Sequence, residues 1–345
     1  METLKDRYAG LGAGFWEAVV DVVSQSVSDE TSIQLSSKVS STGRYVARAT
    51  GAERAPRKSK VSASIVEVET LDGDDAFVRP NGEMYYSRKW GAHTDVLALR
   101  KAREATSKAF SGAGTSAMFA LIYGAPGCGK TAMVEAAFSD VYTLMGTGDT
   151  EVADLVGGYV QTPSGGFEWV DGDLVKAAQS GGVYFIDEIG LIDPKVLSIV
   201  YGLMDGRREL TITANPERGT IKAHPDFYVV AATNPNAPGV RLSEALLSRF
   251  TLQAEMTTDW SLAKKLGVPA ALCTAAQNLS KKMIAREVSW SPQMRELIAF
   301  RDIAETFGSE FAISNLLAAA PEMDRPIVSD VLTRVFASEC KPAKI

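Results

Sequence analysis

The stretch Gly124-Ala125-Pro126-Gly127-Cys128-Gly129-Lys130-Thr131 (GAPGCGKT) decides how this 345-residue sequence is read. It fits the pattern GxxxxGK[ST], with an apolar run, 118–123, before it and a helical pattern over 130–139 after it. Glycines let successive backbone N–H groups curl around phosphate oxygens without a Cβ clash. The start of the following helix adds positive partial charge at the same place. On this reading Gly124, Ala125, Pro126, Gly127, Cys128, Gly129, Lys130, Thr131 and Ala132 surround a nucleotide's phosphates. Lys130 bridges the β- and γ-phosphates, and the Thr131 hydroxyl ligates Mg²⁺. Cys128 stands at a variable position of the pattern and receives no chemistry, although its oxidation could block the loop.

Working outward, GGVYFIDEIG (181–190) is an apolar strand that ends on two carboxylates. A strand covered on both faces reads as a continuous apolar run. In open α/β sheets the C-terminal strand ends line the ligand crevice. Asp187 is then placed to complete the Mg²⁺ shell, and Glu188 to orient and deprotonate an attacking water. An exposed strand end would carry the same letters. The next strand, FYVVAA (227–232), runs into Thr233-Asn234-Pro235. Asn234 either senses the γ-phosphate or forms an ordinary Asx turn before proline. From residue 118 to about 256 short apolar runs alternate with helical patterns, the signature of a parallel α/β sheet. After residue 258 the pattern is helical almost throughout.

Composition sets the outer bounds. The chain is 46% hydrophobic and 23% charged, ordinary for a folded protein, and its net charge of −6 does not suit a coat for nucleic acid or an anionic membrane. Three widely spaced cysteines (Cys128, Cys273, Cys340) argue against a disulfide framework and fit a reducing compartment. Two histidines leave little material for a zinc site. No run approaches the roughly 18 apolar residues of a membrane span, and the N-terminus lacks a signal-peptide pattern. The expected location is therefore the cytoplasm. Residues 1–23 carry one apolar helical stripe, either docked on its own chain or offered to a neighbour. Residues 24–61 are rich in Ser and Thr and then basic (Arg54, Arg57, Lys58, Lys60), a linker or a weakly ordered segment. Asn81-Gly82 marks a turn.

GAPGCGKT, VYFIDE (183–188) and AATNP (231–235), in this order, resemble the AAA+ superfamily. Residues 154–177, 187–210, 223–235 and LSEALLSRF (242–250) look like the MoxR-type ATPases, nearest the CbbQ/NorQ branch and the midasin modules. RPNGEMYYSRKWG (79–91) is similar to that branch's lead-in. The resemblance covers roughly 78–305 and implies an α/β fold: a P-loop AAA+ module with a central parallel sheet over 62–257, followed by a small all-helical lid over 258–345. It implies ATP and Mg²⁺ as ligands, and a hexameric ring with ATP between neighbours. It also implies an unknown protein client, in this clade often one bearing a von Willebrand A-like domain. Arg249 matches the arginine that reaches the adjacent subunit's γ-phosphate; otherwise it is a helix C-terminal arginine favoured by the dipole. Arg207 and Arg208 are candidates for a second contact of that kind, or members of a solvated face. The resemblance places an insertion at 154–170 and a hairpin at 208–223. Phe167 and Trp169 then either grip substrate or pack on the core.

The sequence departs from the family at Ser291-Pro292-Gln293, where MoxR-type lids carry Ser-Pro-Arg. Arg295 is the candidate second sensor, and Arg301 a weaker one. The functions that follow are an ATP-driven remodeller of a protein client, a nucleic-acid motor or loader, and an assembly protein held together by ATP. The acidic net charge does not favour nucleic acid, and no NKxD string suggests guanine reading.

Overall fold

The runs 120–123, 183–186 and 228–232 are apolar without alternation, as strands covered on both faces must be. In the computed structural model nearly all of their residues are buried. The structure describes residues 67–69, 75–114, 116–338 and 340–342, all within one compact unit. The helix expected over 1–23 and the linker expected over 24–61 lie outside the described residues.

The described chain opens with an antiparallel sheet of β1 (Glu67–Glu69), β2 (Asp75–Val78) and β3 (Met84–Tyr86). A short ladder of β4 (Lys89–Trp90) and β5 (His93–Thr94) leads into α1 (Asp95–Phe110). Then come β6 (Ala120–Tyr123), α2 (Lys130–Ala137), β7 (Val141–Met145), α3 (Val152–Val156), β8 (Gly157–Gln161), β9 (Phe167–Asp171) and α4 (Asp173–Ser180). These are followed by β10 (Val183–Asp187), α5 (Pro194–Met204), β11 (Glu209–Thr211), β12 (Thr220–Lys222), β13 (Tyr228–Thr233), α6 (Glu244–Leu247) and β14 (Leu252–Glu255). The remainder is helical: α7 (Trp260–Lys265), α8 (Ala270–Ile284), α9 (Met294–Phe307), α10 (Ser309–Ala319) and α11 (Arg325–Phe336). None of the helices among the described residues is long and apolar enough to cross a membrane.

The central sheet is parallel, in the order β14-β6-β13-β10-β7. Chain order and sheet order differ because β13 is inserted between β6 and β10. That insertion brings the turns after β6, β13 and β10 side by side at one sheet edge, where open α/β folds bind ligands. Two apolar cores result. One is built around the sheet, from Phe77 to Met256, and the other joins the C-terminal helices, from Leu262 to Cys340.

Element ends differ from the expected ones for local reasons. β6 starts at Ala120, not Met118, because the Met118 backbone bonds side chains instead of a strand: its N–H donates to Thr106 Oγ1, and its carbonyl accepts from Tyr228 Oη. α2 stops at Ala137, short of residue 139, because Phe138 turns extended (φ −138°, ψ 140°) and packs its ring toward Tyr228, centroids 5.9 Å apart. β10 begins at Val183, since Gly181 closes α4 in the left-handed region. β13 runs one residue later than read, through Thr233. Residues 152–171 form α3 and the β8–β9 hairpin, and 209–222 form the β11–β12 hairpin.

Candidate active site

Two backbone positions explain why the loop after β6 needs glycine. Gly124 has φ 156°, and a Cβ there would lie 2.2 Å from the Met256 carbonyl oxygen. Gly129, which precedes α2, has φ 104° in the left-handed region. Between them Ala125, Gly127 and Cys128 complete the turn, with Pro126 exposed on its outside. Lys130 and Thr131 open α2, followed by half-buried Ala132.

Lys130 is buried, and its Nζ donates to the carbonyl oxygens of Gly124 (2.9 Å) and Ala125 (3.1 Å). An ammonium has three donors, so one remains for a ligand. Thr131 Oγ1 donates to Asp187 Oδ2 at 2.8 Å, joining the start of α2 to the end of β10. The other Asp187 oxygen accepts from the Glu188 N–H at 3.0 Å. Glu188 follows in the left-handed region (φ 51°, ψ 42°), unusual for a residue with a Cβ. This turns its carboxylate toward the neighbouring strand end, where Oε2 accepts from the Asn234 N–H at 3.3 Å. Asn234 Oδ1 accepts from the Asn236 N–H at 3.2 Å, so its side chain also makes the Asx turn. The structure thus brings Lys130, Thr131, Asp187, Glu188 and Asn234 together at the ends of three adjacent strands.

The Thr131–Asp187 pair fits Mg²⁺, a hard ion held by few protein oxygens plus phosphates and water. Among the described residues no cluster of three His, Cys, Asp or Glu is poised for a metal, and this mode of binding requires none.

The predicted arginines fall in different places. Arg295 starts α9 beside the loop: its N–H donates to the Gly127 carbonyl at 3.2 Å, and its side chain is exposed. Arg301 points elsewhere, donating to the Leu266 carbonyl at 2.5 Å and pairing with Asp302. Arg249 lies just before β14, whose Leu252 pairs with Ala120 at the start of β6, the end of that strand away from the loop. Its guanidinium stacks 4.0 Å over the Tyr201 ring and donates to the Ala245 carbonyl at 2.6 Å. Arg207 is exposed and pairs with Asp205. Arg208 is half-buried. It folds back over the Phe110 ring (3.7 Å) and donates to the His224 carbonyl, and burial lowers its pKa to about 10.

The two aromatic candidates part company as well. Phe167 is 70% exposed, whereas Trp169 packs against the core, meets Tyr159 edge-on at 5.2 Å and donates Nε1–H to Asp171. Asp171 also pairs with Arg218, which lowers its carboxyl pKa and ties the β8–β9 hairpin to the β11–β12 loop.

Sequence reasoning missed Arg88. Its Nη2 donates to the Cys128 carbonyl (2.7 Å) and its Nη1 to the Thr257 carbonyl (3.0 Å). No local pattern marks it, because Thr257 lies 169 positions away along the chain. Arg88 also lines a cavity of about 850 Å³ beside the loop, walled by Tyr86, Trp90, Met256, Thr257 and Trp260. The lead-in is pinned again where Arg79 pairs with Glu135 of α2 at 2.7 Å.

Comparison with known proteins gives relatives for this arrangement. Residues 120–250 match the AAA domain of the dynein-related subfamily. An uncharacterized protein of Staphylococcus haemolyticus is 36% identical over 142 residues, 38% of this chain and 53% of that protein. The chain thus spans about half of that relative's length. An uncharacterized Staphylococcus epidermidis protein is 28% identical over 228 residues, 62% of this chain and 83% of its own. One from Staphylococcus aureus is 33% identical over 171 residues, covering 45% and 63%. Strand order, loop geometry and the family match agree: the chain has the α/β fold of an AAA+ module followed by a helical region, and its residues 120–250 are similar to the AAA domain of the dynein-related subfamily.

Proposed function

We propose that this chain is a Mg²⁺-dependent ATPase that works as a ring and remodels or activates a protein client in the cytoplasm. The contact of Thr131 with Asp187 at 2.8 Å, beside Glu188, carries the reading. It joins the helix start behind the loop that would hold the phosphates to the carboxylate that would hold Mg²⁺, and the next residue, Glu188, is the one that would act on water. The adjoining 850 Å³ cavity offers room for the base and ribose.

The loop amides and the remaining Lys130 donor bind the phosphates. Mg²⁺ at Thr131 and Asp187 would neutralise charge on their oxygens. Glu188 accepts a proton as water attacks the γ-phosphorus and the bond to the bridging oxygen breaks. The Asn234 N–H orients the Glu188 carboxylate. Arg249, remote from its own loop, is suited to complete a neighbour's site. Such an arginine supplied in trans contributes about 10³–10⁵ in rate. The MoxR-type assignment rests on the strings 154–177 and 242–250. A client with a von Willebrand A-like domain belongs to the same proposal.

Phosphate release by the purified chain tests this, with Mg²⁺ and with a chelator, for the parent, Lys130→Ala and Glu188→Gln. The parent should hydrolyse ATP only with Mg²⁺. Lys130→Ala should lose binding. Glu188→Gln should bind ATP but turn over about 10²–10⁴-fold more slowly. A Glu188→Gln variant as fast as the parent overturns the proposal. Because that variant should hold ATP, it is also the bait for the client. No enrichment of any protein over the parent counts against remodelling.

A further inference from the structure

Arg88 is held at both ends of its own residue. Its N–H donates to Asp95 Oδ1 at 3.1 Å, and its carbonyl accepts from the Asp95 N–H at 2.9 Å. Asp95 is itself buried and fixed, since its second oxygen accepts from Tyr85 Oη at 2.5 Å. From this anchored backbone the guanidinium forks. One arm reaches the Cys128 carbonyl, two residues before Lys130, and lies 3.1 Å from where a Cβ on Gly129 would stand. The other arm reaches Thr257, in the segment joining β14 to α7. The next residue, Thr258, donates to Gln293 Oε1 at 2.6 Å, and Gln293 caps α9 in a reciprocal box with Glu296. Hydrogen bonds, with the Thr257–Thr258 peptide between them, therefore link the phosphate loop through Arg88 to the N-terminal cap of α9 in the C-terminal region.

We propose that Arg88 is a positioning residue that couples occupancy of the phosphate loop to the placement of the C-terminal helical region. The inference rests on the nucleotide reading given above. A ligand that draws the loop's amides toward its phosphates shifts the Cys128–Gly129 peptide. A planar, anchored fork passes that shift to Thr257, whereas a flexible ammonium absorbs it. This link works beside the direct one from the Arg295 N–H to Gly127. It also acts where the family's Ser-Pro-Arg string is replaced by Ser291-Pro292-Gln293.

The test uses the full chain with fluorophores on Glu104→Cys in α1 and Met323→Cys before α11, both exposed; the native cysteines are buried. Energy transfer is followed while a non-hydrolysable ATP analogue with Mg²⁺ is titrated into the parent, Arg88→Ala and Arg88→Lys. Arg88→Ala should still bind, about tenfold more weakly, as expected for one lost charge-assisted bond. It should also lose most of the transfer change. Arg88→Lys should regain affinity in part but not the transfer change. If Arg88→Ala fails to fold, Arg88→Lys decides. Variants that are only less stable and respond like the parent overturn the coupling alone. So does a parent that binds without any transfer change. A parent that binds no nucleotide overturns the ATPase reading, and the coupling with it.

Discussion

Cys128 sits inside the loop that would hold the phosphates, yet its side chain is fully buried behind it. Burial raises the thiol's pKa, and the thiolate is the reactive form. Cys273 is buried and shifted in the same direction, and Cys340 is buried too. A thiol reagent should therefore label none of the three in the native chain and all three after unfolding, counted by mass. Fast native labelling at Cys128 would mean that the loop opens away from Met256. The same burial removes the expectation that oxidation at Cys128 readily blocks the loop. Glu188 shows a different constraint. Its left-handed backbone costs on the order of 1 kcal/mol. Contacts on both sides hold it, with its N–H on Asp187 and its carboxylate on the Asn234 N–H.

Among the elements, the β8–β9 hairpin divides its aromatic residues by register. Tyr159 pairs with Trp169 and Gln161 with Phe167, so the four share one face. Toward the base of the hairpin, Trp169 reaches the core and Asp171; toward the tip, Phe167 does not. Trp169→Ala should therefore cost about 1–3 kcal/mol in chemical denaturation, while Phe167→Ala stays within about 0.5 kcal/mol. If Phe167 grips a client, Phe167→Ala should instead lower client-dependent ATP turnover at unchanged stability. Equal destabilisation by both substitutions would show that the tip is packed. The hairpin could be read from the sequence, but this division could not, because core contact depends on what lies beneath each residue. The same limit explains the rest. GAPGCGKT, the Asp187-Glu188 pair and Asn234 were readable because each motif is local and ends a buried strand. Arg88 and the inward turn of Arg208 were not, because their partners, Thr257 and Phe110, come from distant parts of the chain. Arg208 sits in a charged string, DGRRE, that reads as solvated until the Phe110 ring is placed under it.

For the whole molecule, the place of Arg249, before β14 at the sheet end away from the loop, leads to a prediction about assembly. Arg249 is committed to Tyr201 and the Ala245 carbonyl, whereas Glu188 stands beside Thr131 and Asp187 in the same chain. A head-to-tail ring repeats one heterologous contact, so each site can combine Glu188 from one subunit with Arg249 from the next. Glu188→Gln and Arg249→Ala should then be nearly inactive separately. Mixed in equal amounts and allowed to exchange subunits, they should recover activity. In a randomly mixed ring, about one interface in four pairs an intact Glu188 with an intact Arg249. Turnover should approach that share of the parent's, and it should vanish when a single subunit carries both substitutions. The reading fixes the direction of the contact as well. Covalently joined pairs should be active when the Arg249→Ala subunit supplies the nucleotide site and the Glu188→Gln subunit supplies the arginine, and inactive in the reverse order across the same junction. A mixture no more active than its parts, although subunits demonstrably exchange, would leave Arg249 a packing residue on Tyr201 and remove the case for catalysis between subunits.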